Sequence, residues 1–328
     1  MREVRIRLAA ADVSRMRWAI SPAWELLASL RVLGRPGEHA VHMPWLSRHR
    51  GDPLLTDPRH RAVRDFVISA PGHLPGFLAP TPESPLTTID DELDAVAATP
   101  AEIVRREVSG SRPAGVPQSL TPLLKEPRRE IAALVADLGA YWRRAIEPHW
   151  PQMRSVLERD VQHRASALAE DGPGEMLNSL HPDLVWHDED DTLLIRNRLA
   201  EITDPERTLA GRGLVLVPSV FAWPRVYAKT VEPWTPVVRY PARGVGALWE
   251  SDPAPHDLTA VLGKTRARLL ALLETPSTTH QLARSLHAAP GGISAHLHRL
   301  VTAGLASKAR VGREVYYART VRGDHLIS

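Results

Sequence analysis

Apolar positions along this chain keep a helical period over most of its length, lose it in one stretch, and then recover it. Ser21-Pro22 is a helix-start signal, with serine in the capping position and proline in the first turn. Leu26, Leu27, Leu30 and Leu33 follow at helical spacing. The proline-rich stretch 35–125 predicts short helices over 58–68 and 90–108. A longer helix is expected over 128–146, where Ile131, Leu134, Val135, Leu138 and Trp142 form one stripe. After Pro151, Val156, Leu157, Val161 and Leu168 form another. Beyond Gly174 the period changes. The runs 193–195, 213–217, 226–227 and 237–240 are short, β-branched or aromatic, and bounded by Gly or Pro, so they predict strands. The first part of the chain therefore reads as opening with helices and carrying a small β-element near its end.

The helical period returns over 257–274, where Leu258, Val261, Leu262, Leu269, Leu270 and Leu273 recur. Thr278 and Gln281 have the spacing of a capping box, so a second helix starts there and buries Leu282, Ala283 and Leu286. A turn at 287–289 leads to Pro290, the first position of a third helix. In it Ile293, Leu297, Leu300 and Val301 face one way, while Ser294, Ala295, His298, Arg299 and Thr302 face the other. Gly304 ends this helix. Two strands then flank Val311-Gly312, with Lys308, Arg310 and Arg313 around the tip.

Charge sharpens the division between these parts. The 328 residues carry a net charge of +3, with 37 arginines and 4 lysines. Residues 256–328 hold ten basic and four acidic side chains, net +6, so residues 1–255 are net −3. All nine tryptophans lie in residues 1–255. The segment 251–255 has two prolines and no periodic pattern, and reads as a linker. The expected domains are thus 1–250, mainly helical with short strands near 193–240, and 256–328.

Cysteine is absent, which excludes disulfide scaffolds, thiolate metal sites and cysteine nucleophiles. No signal-peptide core follows the basic start, and the longest near-apolar run, 213–223, is far shorter than the roughly 20 residues that span a bilayer. A cytoplasmic protein without a membrane partner is expected. No Gly-x-Ser-x-Gly, His-Glu-x-x-His or phosphate-loop pattern occurs, and neither Gly211-x-Gly213 nor Gly244-x-Gly246 completes a dinucleotide fingerprint. The expectation is no enzyme, no cofactor and no metal. His181, His187 and the run Asp188-Glu189-Asp190-Asp191 contain metal-ligand types without a ligand spacing, and read as a solvated turn. The tryptophans read as core first and as an effector pocket second.

Helix, helix, short turn, helix and basic hairpin make a winged helix-turn-helix. A major groove admits one helix, so a reading helix needs an apolar side held by its neighbours and a polar side for base edges. A basic wing supplies phosphate contacts. The segment resembles the ArsR family of winged-helix transcription regulators. The resemblance covers roughly 70 residues and is carried by TTHQLARSL (278–286), PGGISAHLHRLVTAGL (290–305) and RVGREVYY (310–317). Within these, Ser294-Ala295-His296-Leu297, Ala303-Gly304-Leu305, Gly312-Arg313 and Tyr316-Tyr317 match the family pattern. There are departures. Ala289 stands where many relatives have a serine cap, and Gly292 stands where a Ser or Thr often meets DNA. The metal-sensing branch has a cysteine motif that this chain lacks. The first part resembles an uncharacterised domain found ahead of such winged helices in actinobacterial-type regulators, on WAISPAWELLASLRVL (18–33), HPDLVWHDED (181–190) and GRGLVLVPSVFAWP (211–224).

The fold class expected is mainly α with small β-elements: a large helical N-terminal domain plus a C-terminal winged helix-turn-helix. The function expected is a transcription regulator, a repressor, with duplex DNA as partner. The DNA-binding candidates are Thr278, Thr279, Gln281, Pro290, Gly292, Ser294, Ala295, His298, Arg299, Lys308, Arg310 and Arg313. At His296, base reading and a hydrogen bond to backbone stay open. Residues 1–250 would supply homodimer contacts, small-molecule sensing, or both. The other reading is a winged-helix protein-interaction module, for which the pair Gly291-Gly292 speaks.

Overall fold

The computed structural model describes residues 2–60, 63–68, 75–110, 115–197, 206–249, 264–286, 288–311 and 314–324. They form two compact units, Met1–Gly34 with Arg50–Pro241 and Arg35–His49 with Ala242–Ser328. In chain order the helices used below are α1 (Pro22–Gly34), α2 (Met43–His49), α3 (Ile89–Ala97), α4 (Ala101–Gly110), α5 (Pro127–Ala145), α6 (Trp150–Leu180), α7 (Lys264–Leu272), α8 (Thr279–Ser285) and α9 (Pro290–Thr302). The strands are β1 (Arg2–Arg7), β2 (Arg17–Trp18), β3 (Leu184–His187), β4 (Thr192–Asn197), β5 (Glu206–Thr208), β6 (Val215–Ser219), β7 (Tyr227–Lys229), β8 (Val237–Pro241), β9 (Ser277–Thr278), β10 (Ala306–Val311) and β11 (Glu314–Arg319). The fold is mainly α with small β-elements and a C-terminal helix-turn-helix.

The first unit opens with a strand, not a helix. In Arg2–Arg7, Val4 and Ile6 alternate with charged residues, and a half-buried strand has that period. β1 pairs antiparallel with β4, Val4 opposite Ile195 and Ile6 opposite Leu193, and parallel with β5. This sheet has the order β3-β4-β1-β5, and a second has β2-β6-β8-β7, with β2, β6 and β8 parallel. The β-structure is thus not confined to the end of the unit. One core joins it: Ile6, Leu193, Ile195, Leu216, Val238 and Tyr240 pack with Met176, Leu177 and Leu180 of α6. Each such aliphatic side chain contributes roughly 1.5–3 kcal/mol when fully buried.

The helical stripes are where periodicity puts them, with breaks where the backbone demands them. The Trp24 amide donates to Ser21 Oγ at 3.1 Å, so serine caps α1 as its sequence signals. The stretch 90–108 is two helices rather than one. Pro100 has no N–H to continue α3 and disfavours helical geometry at Thr99, so α3 ends at Ala97 and α4 starts at Ala101. The stretch 58–68 is a 3₁₀ turn, Pro58–His60, and a π-helical turn, Arg64–Ile68. α6 breaks at Gly172, whose φ of 80° suits a residue without Cβ, and Pro173 begins the second segment.

In the second unit β9, β10 and β11 form an antiparallel sheet in the order β10-β11-β9, beside α7, α8 and α9. Leu269, Leu270, Leu273, Leu282, Ile293, Leu297, Leu300, Leu305 and Tyr317 make its core. Residues 35–49, which the sequence reading assigns to the first domain, group with this unit. The expected linker 251–255 and the first turns of the 257–274 helix lie outside the described residues.

Candidate nucleic-acid interface

The interface is built on α9. Pro290 sits in its first turn, and Ala289 in the capping position makes no side-chain cap. At the other end Gly304 takes φ 70°, and the Leu305 amide bonds the Leu300 carbonyl at 2.8 Å, which stops the helix with its last carbonyls satisfied. Ile293, Leu297 and Leu300 are buried. Pro290, Gly292, Ser294, Ala295, His298, Arg299 and Thr302 are all exposed, on the opposite side. Val301 is half-buried at the edge of the core. The helix is therefore anchored by one face and offers the other to solvent. His296 lies between the two, half-buried, with Nδ1 enclosed and without a hydrogen-bond partner among the described residues.

α8 is positioned by the capping box. The Gln281 amide donates to Thr278 Oγ1 at 3.3 Å, and the Thr278 amide donates to Gln281 Oε1 at 2.7 Å. Thr278 is buried, so its side chain is committed to holding α8. Thr279 and Gln281 are half-buried. In the wing, β10 pairs β11 with Lys308 opposite Tyr317 and Arg310 opposite Val315. Lys308 and Arg310 are exposed, and Tyr317 packs into the core of the unit. Arg313 and Gly312, at the tip, lie outside the described residues.

The glycine pair is informative. A Cβ built on Gly291 or Gly292 meets nothing within 4 Å, and neither residue takes positive φ. Neither packing nor backbone geometry in this chain requires glycine there. Its disadvantage in a helix interior is about 1 kcal/mol relative to alanine.

The first unit holds a feature that residue patterns did not signal. On one face of the β2-β6-β8-β7 sheet, cations and aromatic rings alternate: Tyr227, Arg239, Trp24, Lys229, Trp234. Arg239 Cζ lies 4.4 Å from the Tyr227 ring centre and 5.4 Å from that of Trp24. Lys229 Nζ lies 5.4 Å from Trp24 and 4.9 Å from Trp234. Both cations are buried. Glu25, in the first turn of α1, accepts from the Val220 and Phe221 amides at 2.6 and 3.2 Å and faces Arg239. Burial raises the Glu25 carboxyl to about 7, against the lowering pull of those amides and of Arg239. Glu92 of α3 accepts from the Ala23 amide at 2.7 Å, and burial likewise raises it to about 7. Burial lowers the Lys229 ammonium to about 7, with Glu107 and Glu92 opposing. Lys229 Nζ donates to the Ala79 carbonyl.

Six of the nine tryptophans, Trp24, Trp45, Trp142, Trp186, Trp223 and Trp249, are buried core residues. Burial lowers the His181 imidazole to about 4, so it is neutral near pH 7, and its Nδ1 accepts from the Asp183 amide at 3.0 Å. The acidic run forms the exposed β3–β4 turn, where Asp190 pairs with Arg5 at 3.0 Å and Asp188 accepts from the Trp186 indole at 2.6 Å. Among the described residues, no three His, Asp or Glu side chains gather as a metal site, and no helix is long and apolar enough to cross a membrane.

Comparison with known families agrees with this division. Residues 107–246 match a family of unknown function, DUF5937. Residues 257–308 match the bacterial regulatory protein, arsR family. No curated protein and no solved structure matches the chain. The buried-side and exposed-side positions of α9 fall inside the second match. The C-terminal segment is an ArsR-family helix-turn-helix, preceded in the same chain by a DUF5937 domain.

Proposed function

We propose that this protein is a transcriptional repressor that reads duplex DNA with α9 in the major groove and its wing on the backbone. The observation that carries the reading is the two-sided α9, with Ile293, Leu297 and Leu300 buried and Ser294, Ala295, His298 and Arg299 exposed. Arg299 and Ser294 are the base-reading candidates, because a guanidinium can bond guanine bidentately and a hydroxyl can bond several bases. Lys308, Arg310 and Arg313 supply charge to phosphates. The net +6 of residues 256–328 supports this over a protein-docking role.

The first unit serves dimerisation, effector sensing, or both. A two-fold dimer sets two reading helices ~34 Å apart and favours a near-palindromic operator. The family that the C-terminal segment matches is one of regulators. The specific point in favour of a protein-interaction module is Gly291-Gly292, which leaves the start of α9 without side chains.

Separable variants test the reading. Lys308→Ala should weaken all duplex sequences alike and reduce the salt slope by about 1. Arg299→Ala should change sequence preference and cost about 1–3 kcal/mol on the preferred site. Both variants binding like wild type would remove α9 and the wing from the interface.

A further inference from the structure

The winged helix does not stand alone in its unit. Its wing strand β10 is an edge strand, paired only with β11 in the sheet order. The turns Pro36–Glu38 and Ala40–His42 lie along that strand. They are anchored by a small aromatic core. The Trp249 indole donates to His42 Nδ1 at 2.9 Å, the Trp45 ring lies 6.1 Å from Trp249, and it lies 4.9 Å from the His49 ring. His42, Trp45 and Leu46 are fully buried. On the other side, Gly246 sits so close to the end of β11 that a Cβ there would stand 2.3 Å from the Arg319 carbonyl oxygen. Residues 36–49 and 245–249 thus form a second, aromatic core, placed against the wing.

We propose that residues 36–49 are a strap that fixes the wing, so that loosening the strap frees the wing and leaves α9 as it is. Buried, hydrogen-bonded aromatic groups hold one arrangement strongly, because an indole N–H taken out of water must keep its acceptor. An edge strand with its outer side covered opens less often than a bare one. Loosening of the strap then changes phosphate contacts, hence affinity and salt dependence, while the bases read by α9 stay the same. This rests on the DNA-binding reading only for its last step.

Hydrogen exchange on the full-length chain without DNA tests it. Trp249→Phe keeps an aromatic ring, though a smaller one, and removes the indole N–H; His42→Ala removes the acceptor. Each should speed exchange of the β10 amides about tenfold and leave the buried turns of α9 unchanged. A circular dichroism spectrum like wild type's identifies variants that have folded. Unchanged β10 exchange in both Trp249→Phe and His42→Ala would overturn the strap. A second arm measures DNA binding, where Trp249→Phe should lower the salt slope by about 1 with the same preferred sequence. Correct exchange with no DNA binding would leave the strap standing and remove the regulator reading.

Discussion

The two units of this chain bury different chemistry. The core beneath α9 in the helix-turn-helix unit is aliphatic, drawn from Leu269, Leu270, Leu282, Ile293, Leu297 and Leu300 with Tyr317. The first unit buries Glu25, Glu92, Asp160, Arg164, Lys229 and Arg239 among its apolar side chains. An aliphatic core stabilises through area and tolerates shuffling of similar volumes. Buried charges contribute little net stability, because desolvation opposes their attraction, yet removing one partner strands the other. The part of the helix-turn-helix around α9 is thus built to persist as one rigid element. The first unit is built so that a change at one charge alters the state of its neighbours.

The largest effect is expected where a buried charge loses its partner. Arg239→Ala removes the buried cation that faces Glu25 and packs on the Trp24 and Tyr227 rings, and should destabilise the first unit by about 3–5 kcal/mol. The double variant Arg239→Met with Glu25→Gln should recover most of that loss, read as the denaturation midpoint. If the double variant is no better than the single, the pair is not the source of the cost. In the second unit Leu297→Ala should cost about 2–5 kcal/mol through the cavity it leaves, with no pH dependence.

Proton linkage separates the units further. Glu25 has a folded value near 7, above its ordinary 4.5. Its contribution is fully present below about 4.5 and is lost as pH rises through 7, by an amount of order 3 kcal/mol. Glu92 acts in the same direction. Lys229 has a folded value near 7, below its ordinary 10.5, so the folded state binds fewer protons and its contribution improves from pH 7 upward. Glu25→Gln should therefore gain stability relative to wild type as pH rises from 4.5 to 7, and Lys229→Met should gain as pH falls from 10.5 to 7. Urea midpoints across that range check both. No slope difference in either variant would mean the side chain is solvated in the folded protein, and an opposite slope would mean that its charged form is stabilised there.

These charges also mark the limit of what was legible in sequence. The buried and exposed positions of α9, the Thr278–Gln281 box and the stop at Gly304 follow from local rules, because period, cap and positive φ act within one turn. The opening strand was missed although Val4 and Ile6 alternate with charges, since its partners Ile195 and Leu193 lie nearly two hundred residues away. The cation–aromatic ladder has the same origin: Trp24, Tyr227, Lys229, Trp234 and Arg239 are brought together by the sheet, and no spacing announces it. The strap at 36–49 was missed because Arg35 to His49 has no period that assigns it to a distant wing.

The smallest expected effect bears on the glycine pair. Gly292→Ala meets open space and should stabilise α9 by up to about 1 kcal/mol. If the bare backbone approaches DNA, the same change weakens binding while raising the melting temperature. If binding and stability rise together, the helix start is merely loose.

Selection of randomised duplex DNA by the full-length protein at several salt concentrations, with sequencing of the bound pool, tests the central claim most directly. The account predicts an enriched motif, two half-sites about one helical turn apart if the protein is a dimer, and affinity that falls steeply with salt. No enrichment at low salt by folded protein would contradict it, and would turn the winged helix into a surface for binding another protein.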